Sequence, residues 1–174
     1  MSRSALVVPA LACFFASSIA SFAACSTVGP ATGKAQITTT IPGVTLTSNE
    51  AVSIAREELP TTQLKVGLDN VACDSSLDAN RITIDIHSVH VGTFTVREGY
   101  PSLDKLVAGE ARAHVCPPQP AGTTNPAPCH EQVRTGTVTV TRYDRAVGGT
   151  IEGTFQITFA DGDVTGSFSA LRCQ

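Results

Sequence analysis

The chain has no tryptophan, one methionine, two tyrosines and seven phenylalanines in 174 residues. Without Trp, the Cys…Trp…Cys signature of immunoglobulin domains is absent. Charge is sparse too: Asp, Glu, Lys and Arg make up 16% of the chain, and 12 basic residues stand against 15 acidic ones. No basic cluster tracks a phosphate backbone, so no nucleic-acid partner is expected. No amphipathic basic helix is written into the chain, and membrane attachment would have to come from lipid. No repeat of solenoid or propeller length occurs. No Gly-x-Ser-x-Gly elbow and no phosphate-cradling glycine loop occur either, so the chain carries no signature of nucleophilic hydrolysis or nucleotide binding.

What the chain does have begins at its N-terminus. Ala5 to Ala24 is an apolar run rich in small residues, preceded by Arg3 and interrupted by Pro9. It ends in Phe22-Ala23-Ala24-Cys25, in the manner of a lipobox. This layout is that of a cleaved export signal rather than a membrane-spanning helix. The expected organisation is a lipoprotein-type signal peptide over 1–24, a flexible tether over 25–35 and a single β domain over 36–174. Cys25 is then the lipidated first residue of the mature chain. Phe22 stands where such motifs usually carry Leu. The alternatives are ordinary secretion, with cleavage after Ser21-Phe22-Ala23, and an uncleaved anchor. Ser26 resembles the residue that follows the acylated cysteine in lipoproteins sorted to a Gram-negative outer membrane.

With Cys13 removed in the signal and Cys25 acylated, Cys73, Cys116, Cys129 and Cys173 remain. In an oxidising compartment they imply two disulfides, with three possible connectivities. Cys116 and Cys129 bracket a loop with five prolines, which excludes a helix or a central strand. We pair Cys116 with Cys129 and therefore Cys73 with Cys173. Cys129-His130 raises a metal site, but no second close Cys or His pair completes a zinc pattern, and no metal or other cofactor is expected.

The rest of the chain favours strands. Gln36–Thr40 and Val44–Thr47 flank a Pro42-Gly43 turn. Residues 48–59 fit both a capped helix, through Thr47-Ser48-Asn49-Glu50, and a strand, through Val52 and Ile54. Leu64–Cys73 and Arg81–His87 alternate, and the phase slips near Ser88, as at a bulge or tight bend. Leu103–Ala108 reads as a short helical turn capped by Ser102, and Glu110–Cys116 as a strand. In the C-terminal forty residues, Asp161-Gly162 predicts a type I′ hairpin turn. Folding there sets Phe159 opposite Val164, Ile157 opposite Gly166, Phe155 opposite Phe168 and Gly153 opposite Ala170. The fold class is all-β, an antiparallel sandwich or small barrel with at most one or two short helices.

The segments Gly153–Gly162 and Gly166–Cys173, with Leu64–Cys73, resemble those of exported bacterial lipoproteins of uncharacterised function. Such proteins end in a G-x-F hairpin and a final cysteine. The resemblance implies an extracytoplasmic all-β lipoprotein and supports the Cys73–Cys173 pairing. It supplies no active-site residue.

Little else points to chemistry. The phase slip could bring His87 and His90 to one face, yet no third ligand is near. Asp161-Gly162-Asp163 lacks the further oxygen ligands of a calcium loop. Glu57-Glu58, and Asp85 with Asp104, define no acid–base pair. Arg142, Tyr143, Asp144 and Arg145, in the loop before Gly148-Gly149, read first as a plain connecting loop, with a small recognition tip as the alternative. The expected function is a non-enzymatic binding or structural role at the cell envelope. The chain would be anchored through its N-terminal lipid, most simply in the outer membrane, and would bind an envelope protein or glycan. The alternatives are a secreted protein and a lipocalin-like carrier of a small molecule.

Overall fold

The computed structural model describes residues 33–45, 51–56, 61–66, 81–118 and 128–173. The signal segment, Cys25, most of the tether, Cys73 and most of the proline loop lie outside the described residues. Nine strands form one sheet. They are β1 (Lys34–Thr39), β2 (Ala51–Arg56), β3 (Thr61–Val66), β4 (Arg81–His87), β5 (Gly92–Val96), β6 (Glu110–Cys116), β7 (Val133–Tyr143), β8 (Thr150–Phe159) and β9 (Gly162–Cys173). The helical content of the described residues is one 3-10 turn, Leu103–Lys105. The chain is therefore all-β.

Of the two architectures expected, the sheet takes the barrel. Its strand order is β1-β9-β2-β3-β4-β6-β5-β7-β8, and β8 also pairs with β9. That last pairing turns an open sheet into a nearly closed ring of eight strands. β9 pairs with β8 from Gly162 to Leu171 on one edge. Its other edge is shared, with β1 from Val164 to Ser169 and then β2 from Leu171 to Cys173. Two joints are parallel, β2 with β9 and β5 with β6. The second is short, with only Thr95 opposite Glu110 and Val96 opposite Ala111.

Period-two alternation fills this ring. Leu64, Ile82, Ile84, Ile86, Phe94, Val138, Phe155, Ile157, Phe159, Val164 and Phe168 are all buried in one core. Eight strands enclose a space that side chains of this size fill. Residues 51–56, which fit a helix or a strand equally well, are β2, because β3 and β9 offer backbone partners on both edges. The first strand starts at Lys34, so residues 34 and 35 belong to the domain and not to the tether. Gly43 makes the expected turn at φ 77°. The slip at Ser88 is a tight bend at φ 52° that ends β4.

The C-terminal hairpin forms, but two residues away from the expected register. Phe159 pairs with Gly162, Ile157 with Val164, Phe155 with Gly166 and Gly153 with Phe168. Ala160 and Asp161 therefore make the turn, and neither has the positive φ that a type I′ turn requires. A shift of two keeps every side chain on its face, so alternation alone does not separate the two registers. Glycine decides between them. A Cβ on Gly153 would lie 2.9 Å from Phe168 Cζ, and one on Gly166 would lie 2.7 Å from Phe155 Cζ. Each ring thus lies over a glycine on the neighbouring strand, a pairing that compensates glycine in sheets. The two rings then stack across the diagonal at 6.3 Å between centroids.

Gly166→Ala is expected to cost about 1–3 kcal/mol, because the added methyl meets Phe155 and the backbone of β1 together. Urea unfolding of the variant against wild type measures this. A midpoint unchanged from wild type would contradict the glycine-set register.

Candidate functional site

β3, β4 and β6 lie side by side, and alternation sends their residues to opposite faces. Leu64, Val66, Ile82, Ile84, Ile86, Ala111, Ala113 and Val115 face the barrel interior. The other face carries Gln63, Lys65, Arg81, Thr83, Asp85, Arg112, His114 and Cys116. An antiparallel sheet commonly leaves such a face to solvent. Here Lys65, Arg81, Thr83, Asp85, His114 and Cys116 are all buried. Strand register sorts them into rows: Gln63, Asp85 and Arg112; Lys65, Thr83 and His114; Arg81 and Cys116.

In the first row the Asp85 carboxylate accepts from Gln63 Nε2 at 3.2 Å and from Arg112 Nε at 2.8 Å. Arg112 also donates Nη1 to the Pro101 carbonyl at 2.7 Å. Its guanidinium lies 4.2 Å from the centre of the Tyr100 ring. Tyr100 continues the chain of contacts, meeting the His114 ring edge-to-face at 4.8 Å. Tyr100 and Pro101 sit in the loop between β5 and β6, which covers this end of the wall. Gly99 holds the loop by donating its N–H to the Val133 carbonyl at 2.8 Å. Arg97 pairs with Glu110 at 2.9 Å. That bond, with one from the Val107 N–H, holds the Glu110 carboxyl below its ordinary range.

His114 is 7% exposed, and its Nδ1 has no hydrogen-bond partner. Burial pushes its pKa below the ordinary value, outweighing the opposite pull of Asp85 and Glu131. Arg81 is buried as well, which lowers its pKa from the ordinary guanidinium range to about 10 and leaves it charged at neutral pH.

Beyond His114 on the same face of β6 lies Cys116, bonded to Cys129 as the sequence anticipated. The backbone explains why they meet. Val115 and His130 form an antiparallel bridge, each donating its N–H to the other's carbonyl, at 3.0 and 2.7 Å. The next residues outward, Cys116 and Cys129, then stand directly opposite as a non-hydrogen-bonded pair, the closer of the two kinds. Their Cα atoms are 4.2 Å apart. One ligand atom each from His114, Cys116 and Cys129 lies within 4.8 Å of the other two. Cys173, at the end of β9, is also disulfide-bonded. Its expected partner, Cys73, lies outside the described residues.

Other residues singled out by the sequence sit elsewhere. His130, beside Cys129, turns away from the sulfurs and bonds Asp161 at 2.9 Å through Nδ1. His87 Nδ1 is taken by the Ser88 hydroxyl and His90 Nδ1 by the Ser88 carbonyl, while the His90 ring packs on Phe94. The His87–His90 pair forms no cluster of three ligands among the described residues. Asp85 is buried in the polar wall, whereas Asp104 is fully exposed on the 3-10 turn. Glu57 and Glu58 lie outside the described residues.

Arg142 and Tyr143 end β7 rather than lying in the loop, Asp144 and Arg145 follow it, and Arg172 joins them from near the end of the chain. Arg172 donates Nη1 to the Tyr143 hydroxyl at 2.8 Å. The Arg145 and Arg172 guanidiniums lie 5.8 and 5.5 Å from the Tyr143 ring centre. Arg142 reaches Glu152 at 3.3 Å. The sequence did not point to Arg172, or to the partnership of Arg112, Tyr100 and His114. His114-Val115-Cys116, an i, i+2 pair on a strand, is the one local signal that placed a histidine beside a bridging cysteine.

Asp85→Ala leaves Arg112 without its buried counter-charge and is expected to cost about 3–5 kcal/mol, read by urea unfolding. A loss below 1 kcal/mol would mean that the pair contributes no more than a surface ion pair. His114 generates a pH dependence. The unfolded chain binds a proton near the ordinary histidine value of 6.5, and the folded site resists doing so. The stability it contributes is fully present above that pH and is lost as pH falls toward the depressed folded value. Wild type should therefore lose stability more steeply than His114→Gln below pH 6.5, with parallel curves above it.

Among the described residues, no helix is long and apolar enough to cross a membrane. No family model matches the chain, and neither a curated protein nor a solved structure is significantly similar to it.

Proposed function

We propose that this protein is an exported, lipid-anchored β-barrel domain that binds an envelope component and carries out no catalysis of its own. The observation that carries the reading is the tip beside Tyr143, where residues distant in sequence converge. Arg145 is exposed on the loop after β7, Arg172 comes from the last turn of β9, and both lie against one aromatic ring. Guanidiniums held against an aromatic ring keep their forks oriented for a planar anion such as a carboxylate or phosphate. An anionic envelope glycan or an acidic protein surface fits that chemistry. The Cys116–Cys129 disulfide supports an oxidising compartment. Cys25 behind its small-residue run supports the anchor.

The barrel form is also compatible with a small-molecule carrier, since eight strands can hold one small ligand. Phe94, Phe155, Phe159 and Phe168 occupy the interior, which favours binding on the outside. A depression of about 370 Å³ lies over β1 and β9, lined by Lys34, Gln36, Ser167, Phe168 and Ser169. A carried molecule would sit there rather than inside.

Metabolic labelling with palmitate tests the anchor, with loss of label expected in Cys25→Ala. Label retained in that variant would overturn the lipoprotein reading. Retention of isolated envelope fragments on the immobilised protein tests the tip. Arg145→Ala/Arg172→Ala should abolish retention without lowering the unfolding free energy by more than about 1 kcal/mol. Equal retention by wild type and variant would place the binding surface elsewhere.

A further inference from the structure

We propose that the Cys116–Cys129 disulfide caps a latent zinc site, which its reduction opens and whose ligands are His114 and the two released thiolates. Three observations converge there. The three side chains already hold ligand atoms within 4.8 Å of one another. The His114 Nδ1 is buried with no hydrogen-bond partner, and the ring itself is 7% exposed. The backbone pair Val115–His130 fixes Cys116 opposite Cys129 through two hydrogen bonds that do not depend on the sulfur–sulfur bond.

The donor set fits the metal. Tetrahedral zinc with bonds of about 2.3 Å to sulfur and about 2.0 Å to nitrogen needs its ligand atoms roughly 3.5–3.8 Å apart. On reduction the sulfurs part while the imidazole closes in, and both displacements are within side-chain reach. Two thiolates cancel the charge of Zn²⁺, so the occupied site is neutral, as its burial requires. Arg81 stands opposite Cys116 on β4 and brings a cation to the same buried wall. A Cys₂His set leaves a fourth position for water or an incoming ligand.

The reductant is an exported dithiol. Its thiolate attacks Cys129 Sγ, the more accessible sulfur, since Cys129 is half-buried and Cys116 is 1% exposed. The sulfur–sulfur bond breaks, Cys116 leaves as thiolate and a mixed disulfide forms. The second thiol of the reductant then attacks its own sulfur in that mixed disulfide and releases Cys129. Two electrons pass to the protein and the reductant departs as a disulfide. The two protons of the dithiol go to solvent as zinc takes both thiolates.

The test uses full-length protein purified from the envelope in detergent, reduced with a phosphine under nitrogen, desalted and titrated with Co²⁺ as a spectroscopic stand-in for Zn²⁺. One equivalent is expected to raise a thiolate-to-cobalt charge-transfer band that Zn²⁺ abolishes. The oxidised protein should show none. His114→Gln should weaken binding by about tenfold or more, and a Cys73→Ser/Cys173→Ser variant should retain the band. A second measurement needs no variant: in the reduced wild type, Zn²⁺ should shield Cys116 and Cys129, but not Cys173, from alkylation mapped by mass. The proposal is overturned if the folded, reduced protein gives no band. It is equally overturned if His114→Gln binds as wild type does, or if Zn²⁺ leaves Cys116 and Cys129 as reactive as before.

Discussion

The structure depends on β9 being hydrogen-bonded along both edges. On one side it carries β8, its neighbour in sequence; on the other it carries β1 and β2, from the opposite end of the domain. Lys34 opposite Ser169 is among the longest-range pairings in the molecule, and bringing such ends together is entropically costly. Closure therefore needs a strand whose register is fixed before its second edge is occupied. The hairpin supplies that through its glycines, each lying under a phenylalanine of the other strand. Gly162 adds a third constraint, because a Cβ there would lie 2.9 Å from the carbonyl carbon of Thr40. The same turn is stitched to β1 by the Asp163 N–H donating to Thr40 Oγ1 at 2.8 Å and the Thr40 N–H donating to the Asp163 carbonyl at 2.9 Å.

The wall formed by β3, β4 and β6 is buried on both of its faces. Every residue of β4 from Arg81 to Ile86 is at most 1% exposed. A slip of one residue would send Arg81, Thr83 and Asp85 into the apolar interior and the three isoleucines onto the buried polar face. Such a slip strands buried charges, which is far more costly than misplacing apolar groups. The polar rows thus fix the register of three strands that have no tight hairpin among them. Arg112 unites them: it neutralises Asp85, bonds the Pro101 carbonyl and supports Tyr100.

Much of this was legible in the chain, and the failures share a cause. Period-two alternation identifies Arg81–His87, Glu110–Cys116 and the terminal hairpin, because it reports which face a residue takes. It does not report what lies on that face. An antiparallel sheet commonly leaves the face of Arg81, Thr83 and Asp85 to solvent, and only the tertiary fold shows it buried, with Tyr100 and Pro101 packed on the neighbouring Arg112 and His114. Nor does alternation distinguish registers two residues apart, so the Asp161-Gly162 pair pointed to the wrong turn. Residues 48–59 were ambiguous for a related reason: the strand there depends on edges supplied by β3 and β9, and the second of these lies over a hundred residues away. The Cys116–Cys129 pairing was legible because the two cysteines bracket a short segment whose prolines exclude a helix or a central strand, leaving a local loop for a bridge to close. His114 was not, since the sequence drew attention to His130, the residue adjacent to Cys129, whereas a strand brings together residues two apart.

That last distinction bears on how the corner works. His130 uses its backbone to build the bridge and its ring to bond Asp161, so it holds the cysteines in place without touching their chemistry. His114 does the reverse: its backbone belongs to an ordinary ladder, and its ring is set beside the sulfurs with one nitrogen left unbonded. Position is therefore supplied by main-chain hydrogen bonds and reactivity by side chains. A disulfide that alone held its two segments together would let them separate when cut. Here the Val115–His130 bonds and the packing of the Tyr100 ring on the imidazole involve neither sulfur. If reduction opens the zinc site proposed above, the main-chain bonds that position the three side chains need not change, and only what those side chains can bind would.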